Sequence, residues 1–381
     1  MEKIFFILIA LSFILLFIKK YNNAGLKLMI FVILILIILN PNVSLNSAKD
    51  GLNLFLYTVF PSLFPFFIIN DLLMSVGIAE NIAIIFNKPI NRIFKTSGYG
   101  AYAFIISIFS GYPAGAKVVK ELIEAKKISP KEGERILTFS STSGPLFIIG
   151  AVGAGMLKSN LLGYILYASH IIASVLNGII CNLFSKREKK DYIYEHKNTI
   201  LNLNNSIKNS LITMGFISGY IIFFSVIINL LDTISFFNII SVILSKLFKV
   251  NSDDLSIFIK SLFEMSNGCK LIVSSSISNK LLVISFILSF SGISILYQVK
   301  GVLYGCNVSF KKYILSKINH GILSSIVCYY ICKIINVDTI MINYSLNLNN
   351  LFVYSATSLL ILIFILNTIY FLHKKKTTDL L

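Results

Sequence analysis

Three kinds of residue could do chemistry within an otherwise apolar chain: lysines beside glycine and proline, runs of hydroxyls, and two isolated histidines. The first set reads Ser107-Ile108-Phe109-Ser110-Gly111-Tyr112-Pro113-Ala114-Gly115-Ala116-Lys117, then Ser140-Ser141-Thr142-Ser143-Gly144-Pro145, then His170. The second reads Ser261, Glu264-Met265-Ser266-Asn267-Gly268-Cys269-Lys270, then Ser289-Phe290-Ser291-Gly292, then His320. Lys117 and His170 are 53 positions apart, and Lys270 and His320 are 50 apart. Gly111, Pro113 and Gly115 together weaken any regular helix. In lipid, broken backbone is tolerated only where it is buried in protein or lines a cavity. The freed amides then suit an anion, with a helix start behind them and Lys117 adding charge. The competing reading is a tight helix-packing motif with a snorkelling lysine.

The other candidates carry the same two readings. Hydroxyls at 140–143 can hold a carboxylate or a cation, or bond back to the preceding turn. Ser289, Ser291, Gly292 and Ser294 take the matching place in the second set, followed by Gln298 and Lys300. Glu264 aligns with Ser110, and a carboxylate there needs Lys270 as a partner or acts as a proton carrier. His170 and His320 are either hydrogen-bonded glue between helices or a substrate or proton site. The candidate substrate-binding set is therefore Gly111, Pro113, Gly115, Lys117, Ser141, Thr142, Ser143, Gly144, His170, Glu264, Asn267, Gly268, Lys270, Ser291, Gly292 and His320.

Several classes are excluded. Gly111 to Lys117 has the wrong spacing for a P-loop, and no Ser or Thr follows the lysine. There is no H-E-x-x-H or G-x-S-x-G, and neither membrane histidine has an acidic neighbour in sequence. An enzyme is not expected, nor is a cofactor or a metal. The five cysteines are odd in number, lie in or beside apolar runs and have no zinc or redox spacing.

The elements that must position these residues are membrane helices. The 381 residues are 56% hydrophobic and only 13% charged, with mean hydropathy +0.80. The net charge of +17 comes from Lys and Arg at the ends of apolar runs. It implies cytoplasmic loops and the lipid bilayer as partner, with no role for nucleic acid. Candidate spans are 4–18, 26–40, 52–73, 161–184, 211–231, 281–304, 313–335 and 351–373. Segments 99–116, 136–156, 234–250 and 254–279 read as re-entrant or broken. Ser129-Pro130-Lys131-Glu132 is a capping box with Pro at the first helical position. It starts a surface helix in an arm with six Lys or Arg between Lys117 and Arg135.

Charge also sets orientation. Lys19, Lys20 and Lys27, the basic stretch from Lys186, Lys311-Lys312 and Lys374 to Lys376 lie inside; the uncharged-to-acidic loop 336–350 lies outside. The first half then runs from outside to inside and the second from inside to outside. The expected fold is an all-α polytopic membrane protein with two inverted-topology repeats, each with broken or re-entrant helices. Its parts are an N-terminal helix pair (1–50), the first repeat (51–184), a cytoplasmic linker (185–208), the second repeat (209–336) and a terminal helix with a basic tail (337–381). Secondary transporters have this plan, with the site where the halves meet. It leaves proton or Na⁺ coupling and the oligomeric state open.

At the same residues the chain resembles the YlbJ (SpoVV) family of sporulation integral membrane proteins of endospore-forming bacteria. The matching stretches are Phe64-Pro65-Phe66-Phe67 through Asp71, Ser110 to Lys117, Glu132-Gly133-Glu134-Arg135, Gly144-Pro145-Leu146-Phe147 through Val152, and Ala168-Ser169-His170. The match is dense over about residues 50–185 and sparser in the second half. The family more often carries Asn where this chain has Gly144. The resemblance implies gate domains similar to those of nucleoside and ferrous-iron transporters. It further implies movement of dipicolinate, a small organic dianion, across the outer forespore membrane from the mother cell. On that reading Lys117 and Lys270 each hold one carboxylate, with the serines at 141–143 and 291 adding hydrogen bonds. The alternatives are a nucleoside or nucleobase transporter and an assembly protein of the forespore membrane.

Overall fold

Leu, Ile and Phe runs in lipid must satisfy every backbone amide internally, and helices do this within one segment. The computed structural model describes residues 2–17, 22–183, 185, 202–248, 250–277 and 279–335, and these are helical apart from short connections. In order they form α1 (Glu2–Phe17), α2 (Asn22–Leu39), α3 (Pro41–Leu54), a π-helical turn (Phe55–Val59), α4 (Phe60–Ser75) and α5 (Ile78–Phe94). Next come α6 (Tyr99–Ser110), α7 (Ala114–Glu124), α8 (Pro130–Leu137), a long π-helix (Leu146–Met156) and α9 (Asn160–Asn182). The second half holds α10 (Leu203–Thr233), α11 (Phe236–Phe248), α12 (Ser252–Phe263), α13 (Met265–Ser274), α14 (Lys280–Phe290), α15 (Gly292–Val302) and α16 (Phe310–Ile335).

Among the described residues, Asn160–Asn182, Leu203–Thr233, Lys280–Val302 and Phe310–Ile335 are each long and apolar enough to cross a bilayer. Two bent pairs raise the number to six. One turns by 101° at Asn40-Pro41, where Pro cannot continue α2; the other turns by 79° at Gly77, which is left-handed. The chain is an all-α polytopic membrane protein.

Two expected spans are interrupted along their length. Segment 52–73 is not one straight span. The helix begins at Pro41, passes through the π-turn and re-forms as α4, because Pro61 and Pro65 remove amides from the ladder. Segment 281–304 is broken at Ser291-Gly292, both at φ +77. The expected span 4–18 coincides with α1, which is described over Glu2–Phe17. The expected span 351–373 and the tail lie outside the described residues, as does most of the linker.

Both halves contain the same succession around their breaks. In the first, α6 stops at Gly111, α7 restarts at Ala114, the π-helix starts after Gly144-Pro145, and the long α9 follows. In the second, α12 stops at Glu264, α13 restarts at Met265, α15 starts after Ser291, and the long α16 follows. Glycine lets each restarted helix lie close to the one before it. A Cβ on Gly115 would stand 2.9 Å from Ser107 Cβ, and one on Gly268 would stand 2.6 Å from Ser261 Cβ. The breaks themselves also touch. A Cβ on Gly111 would stand 2.5 Å from Gly144 N, and one on Gly292 would stand 3.2 Å from Met265 N.

The arm α7–α8 ties the halves together. Ser129 Oγ caps α8 by accepting from Glu132 N, as its sequence predicts, and Glu132 Oε1 accepts from Ser97 N at 2.6 Å. Glu134 reaches the other half, accepting from Ser309 N at 2.9 Å and pairing with Lys312.

Candidate functional site

α9 and α16 supply the centre of the site because each turns a polar stripe inward at helical spacing. On α9 the stripe is His170, Ala173, Ser174, Asn177 and Gly178; on α16 it is Tyr313, Ser316, Lys317, His320 and Ser324. Small and polar residues let helices approach and bond in a membrane, where apolar contacts give no preference over lipid. Asn177 Nδ2 accordingly donates to Ser316 Oγ at 2.9 Å.

The two histidines meet there, with ring centroids 4.7 Å apart and both side chains buried. Their partners assign their tautomers. A backbone N–H can only donate, so His170 Nε2 accepts from Ser143 N at 2.8 Å. His170 Nδ1 therefore carries the hydrogen and donates to Ser289 Oγ at 2.6 Å. A carbonyl can only accept, so His320 Nε2 donates to His170 O at 2.9 Å, leaving Nδ1 as an acceptor. That acceptor is filled by Lys317 Nζ at 3.1 Å. His170 thus fastens both serine breaks to α9, and His320 fastens α16 to α9.

Lys317 is the residue that sequence reading missed. It is only 1% exposed and donates to Tyr112 OH at 2.6 Å, Ser141 O at 2.9 Å and His320 Nδ1. Its Nζ also lies 4.7 Å from the centre of the Tyr112 ring. Tyr112 OH has long contacts of 3.4 Å to the carbonyls of Leu288 and Ser289, so it accepts from the lysine and three ammonium hydrogens are used. No carboxylate among the described residues pairs with Lys317. A buried lysine with no carboxylate beside it is costly in a membrane and marks functional positions. The signal was present: an i,i+3 pair with His320 on one helix face.

Beside this centre is a cavity with about 950 Å³ of empty space, including its open mouth. All four breaks reach it, through Tyr112 before α7, Gly144 before the π-helix, Met265 of α13 and Ser294 of α15. Helix starts carry unpaired amides and a positive partial charge. The starts of α7, the π-helix and α15 have no side-chain cap. The start of α13 is capped by Glu264, which accepts from Ser266 N at 2.9 Å and Asn267 N at 2.6 Å. Leu54, Val59, Leu63, Ile217 and Ile221 form an apolar wall opposite.

The remaining predicted residues divide clearly. Gly111, Ser143, Gly144 and Glu264 line the cavity. Thr142 holds its break to α6, its Oγ1 lying 2.8 Å from Ser107 Oγ. Ser141 Oγ lies 2.7 Å from Tyr313 OH. Pro113 precedes α7 through a cis Tyr112–Pro113 bond, and Gly115 and Gly268 serve close helix packing. Ser291 is fully buried, and its hydroxyl has no hydrogen-bond partner among the described residues. The Asn267 side chain is exposed.

The two lysines are not brought together. Lys117 Nζ is 2.6 Å from Asp71 and 3.7 Å from Glu121, with 91% of its side chain covered, so its charge is already matched. Lys270 is exposed and outside the cavity. Glu264 does not take Lys270 as its partner, because the amides of its own helix hold both carboxylate oxygens. Asp71→Asn should therefore cost about 1–3 kcal/mol, because it removes the shorter of the two pairs that Lys117 makes and leaves Glu121 as its remaining carboxylate. A thermal unfolding midpoint well below the wild-type value is the expected result.

Compared with curated proteins, the chain is 29% identical over 317 residues to the sporulation integral membrane protein YlbJ of Bacillus subtilis (strain 168). The alignment covers 76% of this chain and 78% of that protein. The chain is therefore similar to that protein over about three quarters of its length. No family model matches it, and no solved structure does. The alignment is long enough that it must include parts of both halves that build the cavity. The printed name of that relative and the apolar helices of this chain agree on an integral membrane protein.

Proposed function

We propose that this chain is a secondary-type transporter of a small organic anion in sporulation, with dipicolinate moved across the outer forespore membrane as the substrate. The observation that carries the reading is the convergence of four half-helix starts on one cavity, three of them without a side-chain cap, backed by the unpaired Lys317. Oriented amides and a cation without a counter-ion favour an anion over a neutral solute. Tyr112 carries the lysine's effect to the cavity, since it lines the wall and accepts from Nζ. A planar dianion can place one carboxylate toward Tyr112 and another toward the helix starts. The sporulation setting comes from the name of the Bacillus relative.

A nucleoside is the second reading, supported by Glu264, Gln298 and four serines lining the same cavity, which could bond a sugar or base. Competition on the purified full chain separates the two. Dipicolinate should raise the thermal midpoint and displace labelled dipicolinate, while uridine should do neither. Displacement by uridine and not by dipicolinate would replace the anion reading with the nucleoside one.

A further inference from the structure

The cavity assigned above to an anion contains a carboxylate. Glu264 sits at one of the four helix starts and occupies its amides with its own oxygens. The equivalent position in the first half is Ser110, which is neutral and lines the same cavity. An entering dianion would meet this negative charge in a low-dielectric space, where repulsion is strong. The arrangement admits an anion only if something positive comes to Glu264.

The neighbouring groups define what that is. Ser266, Ser294, Gln298 and Tyr112 offer neutral oxygens on the same wall. One carboxylate with neutral oxygens suits a monovalent ion or a proton. A calcium-like ion takes six to eight oxygens, several of them carboxylate. Among the described residues no group of three or more His, Cys, Asp or Glu could hold a metal ion. We propose that Glu264 binds a monovalent cation, a proton or a sodium ion, that occupies the cavity together with the transported anion. This rests on the anion-transport reading and assigns its coupling site.

Few other charged or titratable groups face Glu264. Tyr112 stands on the cavity wall, and the buried Cys269 lies one turn along α13. On α12, Lys260 is held by Asp232 of α10. On α15, Lys300 lies over the rings of Tyr297 and Phe310. Lys280 at the start of α14 donates to Val273 O, and Lys246 and Lys270 are exposed. Removing Glu264 therefore removes the cavity's acidic group.

The test uses the full chain, wild type and Glu264→Gln, with two readouts. The first is the thermal midpoint without anion, measured against Na⁺ in place of choline at fixed pH, and against pH in choline. The second is uptake of labelled dipicolinate into liposomes under a Na⁺ or a pH gradient. The wild-type midpoint should rise with Na⁺ if the ion is sodium, or with acid if it is a proton, and Glu264→Gln should abolish that rise. Wild-type uptake should change about tenfold with the same ion's gradient, a coupling of typical size. Uptake by Glu264→Gln should be flat against it. A midpoint that responds to neither ion, or responds equally in the variant, overturns the assignment. If the midpoint responds through Glu264 but dipicolinate is not taken up, the anion reading fails and the cation site stands. If Glu264→Gln does not fold, Glu264→Asp decides: a shifted ion response supports the site and an unshifted one overturns it.

Discussion

Lys317→Met should reduce anion uptake on the order of 10- to 100-fold while leaving a folded protein. The size follows from losing a charge-assisted interaction, about 1.5–3 kcal/mol in a buried setting. Two effects on stability oppose each other. Methionine leaves Tyr112 OH, Ser141 O and His320 Nδ1 without their donor, which costs stability. It also removes a buried cation that has no counter-ion, which restores some. The thermal midpoint should therefore move little compared with uptake. Lys317→Arg should not rescue transport, because a planar guanidinium cannot reproduce three donors on one atom in a fully packed space. Wild-type uptake in a folded Lys317→Met protein would remove the charge from the account of the site.

Gly115→Ala should have the largest effect on folding. A Cβ at that position would stand 1.8 Å from the carbonyl oxygen of Ser140 and 2.9 Å from Ser107 Oγ. The first is backbone, anchored in the break that carries Ser141, Thr142 and Ser143, so it cannot swing aside as a flexible side chain would. Overpacking of this kind costs about 3 kcal/mol or more. Low yield or a sharply lowered midpoint is expected, along with loss of dipicolinate binding in whatever folds. Gly215→Ala on α10 is the matching control, since no atom lies within 4 Å of its added Cβ. A helical glycine replaced in open space should gain a few tenths to 1 kcal/mol. Equal midpoints for Gly115→Ala and wild type would show that the close approach of α7 to the serine break is not needed.

The same residues explain how far the sequence could be read. Breaks were legible because glycine, proline and serine interrupt apolar runs, and each interruption at 111–113, 140–145, 264 and 291 is a helix boundary. The recurrence of Ser107 with Gly115 and of Ser261 with Gly268 was visible as a pattern, and both pairs are packing contacts between successive short helices. The histidines at matched offsets lie against each other because each occupies the inward stripe of the long helix after its break.

Long-range partners were not legible. Lys117 looked available for substrate, yet Asp71 on α4, 46 positions away, claims it. Glu264 looked in need of a lysine, but the start of the next helix satisfies it within three residues. Lys317 drew no reading from the sequence, because only packing against α9 and the first break buries it. Tyr112 was inside the densest motif but carried no charge to draw attention, and its role depends on the lysine 205 positions later. Motif spacing locates where a chain breaks, whereas the partner of each charge is decided by elements far apart in sequence.

The most direct measurement is uptake of labelled dipicolinate by liposomes containing the purified full chain, beside empty liposomes and liposomes with Lys317→Met. Saturable uptake by the wild type, greatly reduced in the variant, is the predicted result. Absence of uptake by folded wild-type protein, under either a pH or a Na⁺ gradient in either direction, would contradict the proposal that this cavity carries the anion.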